Sequence, residues 1–157
     1  MNSKLVELGF KDEALDSEHI RQLDEVGYTI FEDIIHPEWV VGLREAFDTV
    51  YENEGKEAGI EVAQMEGVRR LADLVNKGAV FDNVYLEPTL LTAVSHILQR
   101  PFKLHSLNGH DPQQGSGLQN LHADTGEPTL VGGPYHTVNS MWMLDDFTAT
   151  NGATRII

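Results

Sequence analysis

Residues 102–124 read FKLHSLNGHDPQQGSGLQNLHAD, and the sequence pattern of the chain changes at this point. Short segments that alternate or are rich in β-branched residues begin here. They predict strands at Phe102–Leu107, Leu118–Ala123, Tyr135–Leu144 and Ala153–Ile157. The intervening stretches are typical of loops, and they read DPQQGSG, TGEPTLVGGP and TATNG. Closely spaced strands after a helical region predict an α+β fold, in which a sheet packs on a helical layer.

The first hundred residues are predicted to be mainly helical. Ser17 can cap a helix that runs to Val26 and stops at Gly27, and a short strand is predicted at Tyr28–Phe31. The clearest helix starts at Pro37, because its apolar residues recur every three or four positions until Gly55. Two further helices are predicted, at Val68–Asn76 and from Pro88 to just before Pro101.

Length and composition are those of one globular domain. The chain has 157 residues, of which 41% are hydrophobic, enough to form a core. We expect a single partial domain with a mainly helical region at 1–100 and the first strands of the sheet at 101–157. No secretory signal or membrane-spanning run is evident, so a cytoplasmic protein is expected.

The charge balance and the absence of cysteine narrow the range of partners and of metal ligands. There are 11 Lys plus Arg and 25 Asp plus Glu, giving a formal net charge of −14. Such a surface repels phosphate backbones and anionic lipid, so we expect neither nucleic acid nor membrane as a partner. Without cysteine, any metal must be bound by nitrogen and oxygen ligands.

The best local candidate for chemistry is the triplet His122-Ala123-Asp124. On a strand, residues i and i+2 share a face with Cα atoms about 6.5–7 Å apart, so an imidazole and a carboxylate would converge there. Such a pair suits a first-row divalent metal. The bare triplet also occurs often by chance, so spacing alone leaves a structural role open. His105, His110 and His136 lie in the same strand-rich half and could approach the pair, although a structural role is expected for each.

Longer motifs add a family resemblance. LHSLNGHDPQQGSGLQNLHADTGEP and VNSMWMLDDFTATNGATRII closely resemble the phytanoyl-CoA dioxygenase family, a branch of the Fe(II)/2-oxoglutarate oxygenases. The opening DEVGYTIFEDIIHPEWVVGLREAFDTVYENEG is similar too, so the likeness extends from about Ser17 onward. It implies a double-stranded β-helix (a jelly-roll, cupin-like core) with an N-terminal helical layer. It also implies a dioxygenase that uses Fe(II), 2-oxoglutarate and O2 to hydroxylate an unactivated C–H bond of a small organic molecule, with succinate and CO2 as co-products.

The resemblance assigns roles to individual residues. His122 and Asp124 would be the first two iron ligands, and Gln119 matches a position that contacts the metal-bound co-substrate in relatives. Thr154, within NGATR, matches a polar contact to 2-oxoglutarate. The third ligand, a histidine, and an arginine that pairs with 2-oxoglutarate would follow later in the family's pattern.

Two residues before the DDF segment complete the predicted pocket. Asn139 and Trp142 would face it or pack beneath it, although a plain core role is equally expected for Trp142. The last residues, Arg155 to Ile157, read as the middle of a strand, so we expect the polypeptide to be incomplete and inactive alone.

Two other functions remain open from the sequence. One is a non-catalytic jelly-roll binding module, or a remnant of an enzyme. The other is a cupin-like zinc or manganese enzyme whose site is completed by His105 or His136. Substrate choice would lie in the loops Asp111–Gly117 and Thr125–Pro134, and the sequence specifies neither the substrate nor an oligomeric state.

Overall fold

The computed structural model describes residues 3–10, 14–124 and 133–156. The α-helices are Ser3–Glu7 (α1), Ser17–Glu25 (α2), Pro37–Glu54 (α3), Asp82–Leu86 (α4) and Pro88–Leu98 (α5). Short 3-10 helices cover Gly55–Glu57, Ile60–Val62, Leu74–Asn76 and Ala79–Phe81, and the strands are Val68–Leu71 (β1) and Gly109–Pro112 (β2). Among these described helices, none has the length and apolar character needed to cross a bilayer.

The described residues divide into two compact units, each assembled from three stretches of chain. The first unit draws on Met1–Ile34, Asn83–Leu104 and Ala123–Met141, and the second on Ile35–Asp82, His105–His122 and Trp142–Ile157. Helices α2 and α5 therefore belong to the first unit, whereas α3 and both strands belong to the second.

The first unit is built on the pair of helices α2 and α5. The Asp16 carboxylate caps α2 by accepting a hydrogen bond from the backbone N–H of His19 at 2.8 Å, so Asp16, and not Ser17 as predicted, is the N-cap. Glu87 caps α5 in the same way, with Pro88 at its first position. The apolar faces meet in a small core formed by Leu15, Ile20, Leu23, Phe31, Ala93 and Ile97.

The second unit is built on α3. This helix begins at Pro37 and ends where Gly55 takes a positive φ of 54°, as predicted from the sequence. The helix packs on β1, so its buried residues form the core of this unit. The residues buried there are Leu43, Phe47, Leu71, Leu74 and Phe81, and Leu71 is wholly inaccessible to solvent.

The predicted helix at Val68–Asn76 is wrong. Its first half is strand β1, which pairs antiparallel with β2 so that Arg69 faces Asp111 and Arg70 faces His110. Only Leu74–Asn76 is helical, as one 3-10 turn that follows Asp73 in the left-handed region. Pairing with a segment some forty residues away overrides local helix propensity here.

The sheet in the described residues is smaller than predicted. It has two strands, so the α+β class is confirmed, but the described residues do not show a jelly roll. Tyr28–Phe31 and the four segments predicted after Pro101 are not strands where the structure describes them, and Ile157 lies outside the described residues. An alternating pattern becomes a strand only when a neighbour supplies the ladder of hydrogen bonds, and the pattern itself does not reveal that neighbour.

Arg69 links α3 to both strands. Its guanidinium donates to Asp111 Oδ2 from Nε at 2.7 Å and to Asp48 Oδ1 from Nη1 at 2.7 Å. The same group lies over the rings of Phe47 and Tyr51, at 5.2 and 5.4 Å from their centroids. One side chain therefore satisfies two carboxylates and covers two stacked aromatic rings.

Replacing Arg69 with methionine is expected to lower the free energy of unfolding by about 1–2 kcal/mol, since the two carboxylates lose their shared donor in a half-buried position. Urea titration of the wild type and the variant measures the difference. Arg21→Met is the matched control, because its ion pairs with Glu18 and Glu25 lie within one exposed helix and should leave stability unchanged. Equal effects of the two substitutions would contradict the expectation.

Candidate functional site

His122 is held in one tautomer by the backbone two residues before it. Its Nδ1 lies 2.7 Å from the carbonyl oxygen of Asn120. A carbonyl can only accept, so Nδ1 carries the proton and Nε2 carries the lone pair of the neutral ring. The ring is exposed, and this is the arrangement in which a histidine binds a metal through Nε2.

Asp124 is oriented by an amide from further along the chain. The side-chain N–H of Asn139 donates to Asp124 Oδ2 at 2.6 Å. A donor on one carboxylate oxygen restricts rotation of the group, as is common for carboxylates that bind metals. Asn139 was predicted to face or underlie the pocket, and the structure shows that it contacts a predicted ligand.

The donor chemistry of His122 and Asp124 fits Fe(II), which accepts imidazole and carboxylate ligands. Each of the two is described here within its own unit. In the part of the chain that the structure describes, no group of three His, Asp or Glu side chains is placed to hold a metal. The third ligand of the predicted set is therefore not supplied by the described residues.

The histidines of the alternative metal site have other contacts. His105 Nδ1 lies 3.3 Å from the Ser106 hydroxyl, and His136 Nδ1 lies 3.4 Å from Nη2 of Arg100. Arg100 also donates to the carbonyl of Tyr135 at 3.2 Å. These contacts favour local structural roles for both histidines.

Trp142 packs against helix α3. Its ring meets that of Trp39 edge-on, with centroids 5.3 Å apart and an interplanar angle of 70°. Arg44, on the same helix, pairs with the Asp145 carboxylate at 2.7 Å and also donates to the Leu144 carbonyl. These contacts of Trp39 and Arg44 were not predicted. Each residue is nevertheless recognisable in the sequence, as a large aromatic or a cation on the best-defined helix.

The remaining predicted site residues are exposed. Gln119 and Thr154 have no side-chain hydrogen bond among the described residues, and the structure does not bring them to a predicted ligand, so their roles stay predictions. The substrate loop predicted at Thr125–Pro134 lies outside the described residues up to Gly132.

Comparison with known proteins supplies the family. The sequence profile of the phytanoyl-CoA dioxygenase family matches residues 23–157, which is most of the chain. Comparisons with curated proteins and with solved structures found no match. The matched region contains His122, Asp124 and every other residue to which the resemblance assigned a role. The chain therefore belongs to the phytanoyl-CoA dioxygenase family, whose members are generally oxygenases.

Proposed function

We propose that this chain is part of an Fe(II)- and 2-oxoglutarate-dependent dioxygenase with a jelly-roll core, which hydroxylates an unactivated C–H bond of a small organic substrate. The observation that carries the proposal is the family match over residues 23–157, within which His122-Ala123-Asp124 has the family's ligand spacing. Membership of a family of oxygenases supports the reaction type, and the acidic surface supports a substrate other than nucleic acid.

His122 and Asp124 would hold the metal, and their neighbours prepare them for it. The Asn120 carbonyl fixes the proton of His122 on Nδ1, so Nε2 is the nitrogen offered to a cation. The Asn139 amide restrains the Asp124 carboxylate through Oδ2. One imidazole and one carboxylate from the protein, with one further ligand, would leave positions on the metal for exchangeable molecules.

When bound, Fe(II) and 2-oxoglutarate supply the activation of O2 that simple side chains cannot perform, with succinate and CO2 as co-products. The chain's own residues bind and orient that group. Gln119 and Thr154 are proposed to contact 2-oxoglutarate, and Trp142, fixed by Trp39, is proposed to form a wall beside them. By the resemblance, a further histidine and an arginine complete the set, and the described residues supply no third ligand, so the 157-residue polypeptide alone is expected to be inactive.

The test follows succinate release from 2-oxoglutarate in the presence of Fe(II), comparing the 157-residue polypeptide with the chain encoded by the whole gene. We expect turnover from the latter and none above background from the former. His122→Ala should abolish turnover, while the control His105→Ala retains it.

Other outcomes would identify the alternatives. Metal-dependent activity that requires His105 or His136 but not His122 would favour the zinc or manganese enzyme. Absence of turnover from a folded whole-gene chain, with ligand binding retained, would favour the non-catalytic module.

A further inference from the structure

An open hollow lies between the end of α3 and strand β1, within the second unit. Its volume is about 650 Å³, in the range of small-molecule sites, and its wall includes Tyr51, Lys56, Val68 and Arg70. None of the residues assigned to the proposed oxygenase site lines it. The hollow is therefore a separate candidate for ligand binding.

Arg70 differs from Arg44 and Arg69 in having no acidic partner among the described residues. Arg44 and Arg69 each bind at least one carboxylate, but no Asp or Glu of the described residues lies within 4 Å of Arg70. Its Nη1 donates to the Ala63 carbonyl at 2.9 Å, while its Nε is buried without any hydrogen-bond partner. A buried donor left unsatisfied costs about 1–3 kcal/mol of free energy, so a hydrogen bond from this group to an added acceptor would be favourable.

The surroundings of Arg70 include a histidine and a second cation. His110 is its direct cross-strand partner, so the two side chains share one face of the sheet. The pKa of His110 lies below its ordinary value because of desolvation first and the charge of Arg70 second, while Asp111 opposes the shift. Lys56, on the wall of the hollow, also lacks an ion-pair partner among the described residues. Arg70 and Lys56 therefore line one hollow, and among the described residues neither has a carboxylate within 4 Å.

We propose that this hollow binds a small organic monocarboxylate, whose carboxylate accepts hydrogen bonds from the Arg70 guanidinium and is attracted by Lys56. Arginine presents a planar fork of donors that matches a carboxylate. Glu52 and Glu66 also line the hollow, and their charges oppose a second anionic group on the ligand. The site thus selects one carboxylate on a neutral body, and it does not depend on the proposed iron site.

The pKa of the His110 ring reports whether a carboxylate is bound near Arg70. A bound carboxylate favours the imidazolium form, so saturating propionate should raise the His110 pKa at constant ionic strength. NMR titration of the ring protons measures the shift, with the resonance assigned by its loss in His110→Gln. Succinate at matched ionic strength should raise the pKa less, whereas a non-specific anion effect would make succinate at least as effective.

Variants locate the site. Arg70→Gln should weaken propionate binding about tenfold, as expected when a charge-assisted hydrogen bond is lost. Arg70→Lys keeps the charge and should retain part of the affinity, which protects the test if the glutamine variant is unstable. Arg21→Gln is the control, since Arg21 already binds Glu18 and Glu25 and should leave binding unchanged. Unaltered binding in folded Arg70 variants, or an equal response to chloride, would overturn the proposal.

Discussion

Replacing Asp124 with alanine is expected to weaken Fe(II) binding to the whole-gene chain by at least about 100-fold, since loss of even an outer partner commonly costs 10–100-fold. The substitution removes one of the two ligands proposed within these 157 residues, and it is the one that carries a negative charge. Titration with Co(II), followed by its visible absorption, measures affinity without relying on turnover.

Asn139→Ala provides the graded comparison. It leaves the carboxylate in place but removes the donor that lies 2.6 Å from Oδ2, so a loss of about tenfold is expected. Asp146→Ala serves as the control, because Asp146 is an exposed carboxylate to which no ligand role is assigned. If Asp124→Ala and Asp146→Ala bound Co(II) alike, Asp124 would not be a ligand.

Substituting Gly109 with alanine is expected to lower the free energy of unfolding by about 2–3 kcal/mol, the range found for overpacked cores. A Cβ at this position would lie 2.8 Å from Cδ2 of Phe47 and closer still to Cε2. The Phe47 ring is buried, with Arg69 over it and Leu71 beside Gly109, so it has little room to move.

Gly42→Ala is the matched control for that substitution. Gly42 lies inside α3, and a Cβ there would find its nearest neighbour at 3.9 Å. Alanine should therefore raise stability by about 0.5–1 kcal/mol through helix propensity alone. Thermal or urea unfolding of the two variants should give changes of opposite sign, and a stabilised Gly109→Ala protein would refute the packing argument.

Helices α2, α3 and α5 were predictable because their ends have local signals, whereas the five-residue helices α1 and α4 were not predicted. Pro37 and Pro88 sit at first helical positions, and Gly27 and Gly55 follow last ones. Strand β1 was missed because its pairing with β2 is a long-range property that no local window contains. The same reason explains the segments after Pro101, whose alternation was visible but did not make them strands in the described residues.

The candidate site was likewise predictable only in part. His122 and Asp124 were predicted from their spacing and from the family resemblance, because the residue types of a ligand pair are visible in the sequence. Of the groups that orient them, the backbone carbonyl of Asn120 leaves no signal in the sequence, and Asn139 was predicted to face or underlie the pocket but not to donate to Asp124, fifteen residues away. Arg70 was not predicted as a binding residue, because its lack of an ion-pair partner is a property of the tertiary structure.

The edge-on contact between Trp39 and Trp142 involves both tryptophans of the chain. All tryptophan fluorescence therefore arises from one place, where helix α3 contacts the segment 142–145. The emission wavelength will follow the attachment of that segment and will not directly register changes around Leu15 and Leu23. An unfolding curve followed by tryptophan fluorescence is thus a measurement of one unit.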